Sequence, residues 1–433
     1  MTETAAAASS VHAATIPVLH RAPWVLPMAG PGIPGRADII ADGGVLTAGG
    51  RIQAVGGFRH LRGKYAGVEV ADHPQSVLMP PLVNGHAHLE LSHLAGLGTT
   101  PAAGDITGWI RNLVESRRHF AGPDDAVYQS AGRALAGLHE TGTGLVADIG
   151  NLMQSRLIGS NRQPLVIFCL EFFGLTGATE KGALNRLRKI PELSDPELNR
   201  GLYSFTCAPH APYSTGAALI RGLKDRVSAA GRLFSIHAAE SAAEVEFLLE
   251  GTGSFRRFLQ ERDEMTGPFT PPGLTPIRYL DSLGVLDKRT LCVHAVHVTA
   301  DEIDIIADRG AGVCLCPGSN RFLGVGRAPV AGFLARGILP ALGTDSLASN
   351  PALNLWEEMR ILRQDHPGLP PAPVLAMATR GGAEALGAER EIGVLAPGTG
   401  ARFLQVSMPE VATDEIIEYL TTAGAAVEIS WVE

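Results

Sequence analysis

Lysine is scarce in this 433-residue chain, with Lys64, Lys181, Lys189, Lys224 and Lys288 its five examples. The 36 basic residues are scattered, and 44 acidic ones outweigh them to give a formal net charge of −8. Without a basic stripe, neither nucleic acid nor an anionic membrane surface is an expected partner. Long apolar runs are missing too, because Gly, Pro or a charge breaks each one, so no segment is expected to span a bilayer. Residues 1–15 hold no Lys or Arg and no apolar block. That excludes a secretory signal and reads as a disordered tail. Cysteine is rare: Cys169, Cys207, Cys292, Cys314 and Cys316 are odd in number and lie in or beside short apolar runs. They form no disulfide framework and read as buried thiols of a cytoplasmic protein. Cys314 and Cys316 would face the same way on a strand, but core packing is the preferred reading over metal ligation.

What is present is apolar substance, 45% of the residues, enough for one large domain with a smaller one beside it. Eight short β-rich runs alternate with helical stretches: Val77–Val83, Leu145–Ile149, Leu165–Leu170, Leu202–Ala208, Leu233–Ala238, Thr290–His294, Gly312–Cys316 and Leu339–Gly343. Between them, spacings such as Ile106-Trp109-Ile110-Leu113-Val114 and Ala131-Ala134-Leu135-Leu138 are helical. Parallel βα units of this number predict an α/β protein with a (β/α)8 TIM-type barrel over 77–392. Residues 16–76 and 393–433 carry short strands with Gly-rich turns, each too little for a sheet alone, and are expected to pair into a composite β-sandwich. Residues 371–387 read as a helix closing the barrel, and Gly251–Thr275 as a long loop over its mouth.

Active sites of such barrels lie at the C-terminal strand ends. Here those ends carry His86 and His88, then His210, then His237 with Glu240, then His294, and last Asp345. Residues two apart on a strand share a face, so His86 and His88 can chelate one ion. His237 and Asp345 complete a set of three nitrogens and one oxygen, which suits Zn²⁺, with Fe²⁺ and Mn²⁺ as alternatives. An ion there acidifies water. Glu240 is then a proton shuttle to a ring nitrogen, His294 a holder of the attacking oxygen, and Asp345 a relay to the departing amine. Singly, each has a plainer reading: a strand-end histidine is usually structural, and Glu240 could simply favour a helix start. Their conjunction decides for a metal site. The pattern of His88 and Glu90 with Cys314 and Cys316 does not make the other zinc deaminase signature, because the cysteine spacing is wrong.

These residues resemble the amidohydrolase superfamily, specifically its deaminase and chlorohydrolase branch, over nearly the whole chain. The likeness rests on residues 80–90 (PPLVNGHAHLE), 237–240 (HAAE), 293–297 (VHAVH), 342–346 (LGTDS) and 393–398 (GVLAPG). It implies metal ligands His86, His88, His237 and Asp345, with Glu240 as acid/base and His294 beside the water. Residues 209–213 (PHAPY) resemble a segment that supplies a substrate-binding histidine, here His210. Residues 109–111, 170–173, 316–320 (CPGSN) and 345–350 (DSLASN) look most like aminodeoxyfutalosine deaminases of the alternative menaquinone route. Adenosine, S-adenosylhomocysteine or methylthioadenosine deamination, guanine or triazine hydrolysis, and a non-catalytic scaffold stay as alternatives. Gly318 departs from the bulkier residue often found there, which puts a substrate contact in doubt. Arg402 stands in place of an aspartate in the last motif. The five lysines all fall in loops, helices or helix ends, so no lysine-bridged pair of metals is expected, and one divalent ion follows. Further substrate contacts are expected from Trp109 by stacking, Glu171 by hydrogen bonding and Arg111 by pairing with a carboxylate, although core packing, a rim salt bridge and plain surface exposure compete. The substrate is a small molecule, and a homodimer remains open.

Overall fold

In a computed structural model, residues 16–30, 39–97, 105–120, 124–151, 163–195, 199 and 203–433 are described. The expected tail, residues 1–15, lies outside them.

Two sheets organise the chain. The first is built from β1 (Val18–Val25), β2 (Ile40–Ala48), β3 (Arg51–Gly57), β4 (Glu69–Asp72) and β5 (Ser76–Met79). The second holds eight parallel strands: β6 (Leu82–Ala87), β7 (Thr143–Gly150), β8 (Leu165–Phe172), β9 (Tyr203–Pro209), β10 (Phe234–Ala238), β11 (Thr290–His294), β12 (Gly312–Leu315) and β13 (Ala341–Leu342). The chain returns to the first sheet with β14 (Phe403–Ser407) and β15 (Ile429–Val432).

The eight-stranded sheet is the (β/α)8 barrel. Its ladder runs β10-β11-β12-β13-β6-β7-β8-β9. At the remaining seam, between β9 and β10, Thr206 Oγ1 donates to the Leu233 carbonyl at 2.9 Å and the His237 N–H donates to the His210 carbonyl at 3.0 Å. Strands β6, β7 and β10 are buried at every position, as parallel strands covered by helices must be. The terminal segments pair into one seven-stranded mixed sheet, in which β14 of the C-terminal segment runs antiparallel to β5.

Two expectations change. The run Val77–Val83 is not one strand: Ser76–Met79 belongs to the terminal sheet, and the barrel begins at Leu82. Pro80 and Pro81 lack the N–H groups a continuing ladder needs, so the chain leaves one sheet and enters the other there. Nor is Gly251–Thr275 a plain loop, since Gly253–Glu261 forms a helix that buries Phe255, Phe258 and Leu259. The closing helix over 371–386 carries one π turn at Met377–Gly381. Among the described residues, no helix is long and apolar enough to cross a membrane.

Candidate active site

The first and last barrel strands meet through Asn84. Its Oδ1 accepts from the N–H groups of His86 and Thr344, both at 3.2 Å, and its Nδ2 donates to Thr344 Oγ1 at 2.7 Å. The N–H groups of Thr344 and Asp345 donate to the His86 carbonyl at 3.0 and 3.1 Å. Close approach requires glycine: a Cβ on Gly343 would lie 2.9 Å from His86 Cβ and from Cys314 Sγ. So Asp345 arrives beside His86.

Around that seam the expected ligands converge. His237 Nε2 lies 3.2 Å from His86 Nε2 and 3.3 Å from His88 Nε2. Asp345 Oδ1 lies 3.6 Å from His88 Nε2 and 3.9 Å from His86 Nε2. Donors held about 2.0–2.1 Å from a tetrahedral ion stand about 3.3 Å apart. The ligand atoms of His86, His88 and Asp345 all lie within 4.8 Å of one another and His237 stands within 3.3 Å of both imidazoles, so these groups suit one cation. Hydrogen bonds orient two of the rings: His237 Nδ1 faces the His210 carbonyl at 2.7 Å, and His88 bonds the Ile149 carbonyl. Burial, then the neighbouring imidazoles, holds His86 well below its ordinary pKa. Burial also lowers His88, to about 4, and His237. All three rings are therefore neutral, the form that ligates. Burial pushes the Asp345 carboxyl up, but His88, His294, the Ser319 hydrogen bond and His237 together outweigh it and the net direction is down.

Glu240 Oε1 lies 3.6 Å from His294 Nε2, and His294 Nδ1 is 3.0 Å from Asn320 Oδ1. Burial pushes the Glu240 carboxyl up to about 7, where it can exchange a proton near neutral pH. Of eight described non-glycine residues with positive φ, Ala239, His294, Ala295 and Asp345 are here. Backbone strain gathers where side chains must be aimed.

A cavity of about 1120 Å³, its open mouth included, reaches these groups. His210, Trp109 and Glu171, the proposed substrate contacts, line it. His210 stacks on Phe173 at 4.5 Å and meets Ser214 Oγ at 2.6 Å. Glu171 is 4% exposed, and burial raises its carboxyl to about 8. Among the described residues, Glu171 Oε1 and Trp109 Nε1 are buried without a hydrogen-bond partner.

Arg111 is a correction. It is half exposed, pairs with Glu261 at 2.6 Å and is not among the lining residues. The helix Ile106–His119 turns Ile106, Trp109, Ile110, Leu113 and Val114 to the cavity, and the 3.6-residue period carries that face to Arg117, leaving Arg111 off it. Arg117 and Arg262 are the lining arginines, at 3.0 Å from Glu90 and 3.7 Å from Glu264. Extending the helical stripe by one turn would have found Arg117; nothing in the sequence marks Arg262. Asn320 was visible only as part of a motif. Gly318 is also no missing substrate contact, since its N–H donates to Glu358 at 2.7 Å in the buried interior.

Residues 77–427 match the amidohydrolase family. The chain belongs to that family. This amidohydrolase is 32% identical to the aminodeoxyfutalosine deaminase of Deinococcus radiodurans, over 82% of the chain and 83% of that protein. It is 31% identical to a 5-methylthioadenosine/S-adenosylhomocysteine deaminase of Nitratidesulfovibrio vulgaris, over 80% and 75%. A zinc-bound adenosine deaminase from Xanthomonas campestris superposes with a TM-score of 0.76 at 25% identity, covering 94% of the chain and 89% of that structure. The aminofutalosine deaminase of Helicobacter pylori, in complex with methylthio-coformycin, shares the fold with a TM-score of 0.79 at 23% identity, over 93% and 95%. The amidohydrolase is thus a metal-dependent hydrolytic enzyme acting on C–N bonds, of the deaminase kind.

Proposed function

We propose that this amidohydrolase releases ammonia from a 6-aminopurine nucleoside with a carboxylated side group, aminodeoxyfutalosine first among the candidates. The observation that carries this reading is a single cavity with two chemical zones. His88, His237, Asp345 and Glu240 gather at one part, while an apolar helical stripe lines the rest together with Arg117 and Arg262. The 32% likeness to an aminodeoxyfutalosine deaminase supports it.

His86, His88, His237 and Asp345 would hold one divalent ion, Zn²⁺ by the nitrogen-rich donor set, with Fe²⁺ the alternative. Such an ion supplies Lewis acidity that brings a water's pKa towards neutrality. Glu240 takes the water's proton and passes it to the ring nitrogen beside the aminated carbon, making that carbon electrophilic. His294, oriented by Asn320, holds the entering oxygen. Glu240 then takes the remaining proton of the added hydroxyl and delivers it to the amino group, so that the C–N bond breaks, the carbon keeps the oxygen as a carbonyl, and ammonia leaves. Asp345 Oδ2 already accepts two hydroxyl hydrogen bonds, so the relay once expected of Asp345 passes to Glu240. His210 and Trp109 border the base, and Glu171 Oε1 awaits a hydrogen bond from the substrate. Arg262 takes the carboxylate in place of Arg111, because Arg117 is held at 3.0 Å by the buried Glu90.

The Arg262–Glu264 pair also favours a second reading, because an amino-acid zwitterion such as that of S-adenosylhomocysteine could meet both charges. Ammonia release from aminodeoxyfutalosine, S-adenosylhomocysteine, methylthioadenosine, adenosine, guanine and a chlorotriazine separates the readings. One charge-assisted contact should raise kcat/KM for carboxylated nucleosides about tenfold over uncharged ones. Equal rates would remove the carboxylate from the proposal, and no ammonia from any aminopurine would remove the proposal itself.

A further inference from the structure

Residues 316–320 and 345–350 converge on one oxygen of Asp345. Asp345 Oδ2 accepts from Ser319 Oγ at 2.6 Å and from Ser349 Oγ at 3.0 Å, while Oδ1 faces the histidines. We propose that Ser319 and Ser349 are positioning residues that fix Asp345 as a one-oxygen ligand of the metal. This rests on the metal-site reading above.

Proton counting supports the assignment. Each hydroxyl carries one hydrogen, so two hydroxyls spent on Oδ2 leave neither to donate to the other across their 3.0 Å contact. Ser346 Oγ, 3.2 Å from Ser349 Oγ, can supply the donor that Ser349 then accepts. Oδ2 thus has both lone pairs engaged and is withheld from a second metal bond, whereas Oδ1 is left free. Both serines are fully buried, so water does not compete for these hydrogen bonds.

The two segments are themselves tied together by Glu358, from the helix Leu355–Asp365. Glu358 Oε2 accepts the Gly318 N–H at 2.7 Å, and Oε1 accepts Asn350 Nδ2 at 2.6 Å. Asn350 Nδ2 also donates to the Thr344 carbonyl at 2.8 Å, beside Asp345. A Cβ at position 318 would come within 2.5 Å of Glu358 Oε1 and 2.6 Å of Asn350 Nδ2. Gly318 is therefore small because the brace closes over it. The brace sets both serines at fixed places relative to Asp345, which sits at φ 55°, a conformation that needs holding.

The test is metal affinity, measured on purified protein by competition with a chromophoric chelator for Zn²⁺, together with the absorption spectrum of the Co²⁺-loaded form. Ser319→Ala and Ser349→Ala should each weaken Zn²⁺ binding about tenfold or more, as loss of a ligand-orienting partner does. Their Co²⁺ bands should weaken as Asp345 turns towards two-oxygen ligation. Ser349→Thr keeps the hydroxyl and should restore both signals, which a merely space-filling role would not require. Where Ser319→Ala fails to fold, the comparison of Ser349→Ala with Ser349→Thr decides. Wild-type affinity and an unchanged Co²⁺ spectrum in folded alanine variants would overturn the assignment. A wild-type protein that takes up neither ion would instead overturn the metal site beneath it.

Discussion

Glu240 and His294 face one another at 3.6 Å, and burial pushes the Glu240 carboxyl up to about 7. A carboxyl so placed can both take and return a proton, which an amide cannot. Glu240→Gln keeps the shape and touches none of the four proposed ligands. Turnover should fall by about 10²–10⁴-fold while metal content, measured by atomic emission, stays at the wild-type value. Retained turnover would remove Glu240 from the chemistry. Most of these residues were legible in the sequence because strand alternation forces His86 and His88 to one side, and barrel geometry gathers strand ends. Ser319 and Ser349 were legible only as letters of a motif. Their work consists of single hydrogen bonds across 26 and 4 residues of sequence separation, and no periodicity encodes such contacts.

At the scale of elements, the helix Ile106–His119 shows how far a pattern reaches and where it stops. Its apolar stripe, visible as Ile106-Trp109-Ile110-Leu113-Val114, is the cavity wall itself. Arg111 lies off that stripe and reaches Glu261 on the helix Gly253–Glu261. Arg262, just beyond that second helix, enters the cavity although its surroundings read as loop. Arg262→Ala is therefore expected to raise KM for a carboxylated substrate about tenfold with kcat little changed, the mark of lost ground-state binding. Arg111→Ala should leave both constants within about twofold, since an exposed ion pair contributes little. Steady-state kinetics on both variants checks this, and the reverse ranking would return the carboxylate to Arg111.

Across the whole molecule, the terminal sheet joins segments far apart in sequence, and a histidine chain runs through the join. His20 Nδ1 on β1 lies 3.0 Å from His73 Nε2, and His73 Nδ1 lies 2.7 Å from Gln405 Oε1 on β14. Burial, then His73, lowers His20 to about 4, against 6.5 for an ordinary imidazole. Between those values the unfolded chain binds a proton at this site that the folded chain refuses. Stability is then fully present above pH 6.5 and falls as pH drops towards 4. His20→Gln keeps hydrogen-bonding capacity without titrating, so it should lose less Tm than the wild type between pH 7 and pH 5, by about 1 °C or more. Parallel melting curves at the two pH values decide; identical losses would deny His20 a part.

The amino-acid sequence by itself determined the eight-stranded barrel and the pairing of the two ends, expected as a sandwich and found as one mixed sheet, and it named the histidines, glutamate and aspartate of the proposed site. Those follow from local rules: residue periodicity sets which side chains share a face, and strand direction sets where the polar ends gather. Only the tertiary structure decided that Pro80 and Pro81 divide two sheets, that Arg117 and Arg262 rather than Arg111 line the cavity, and that two serines hold one oxygen of Asp345. Each of these depends on distances between segments remote in the chain, which packing fixes and local preference leaves undetermined.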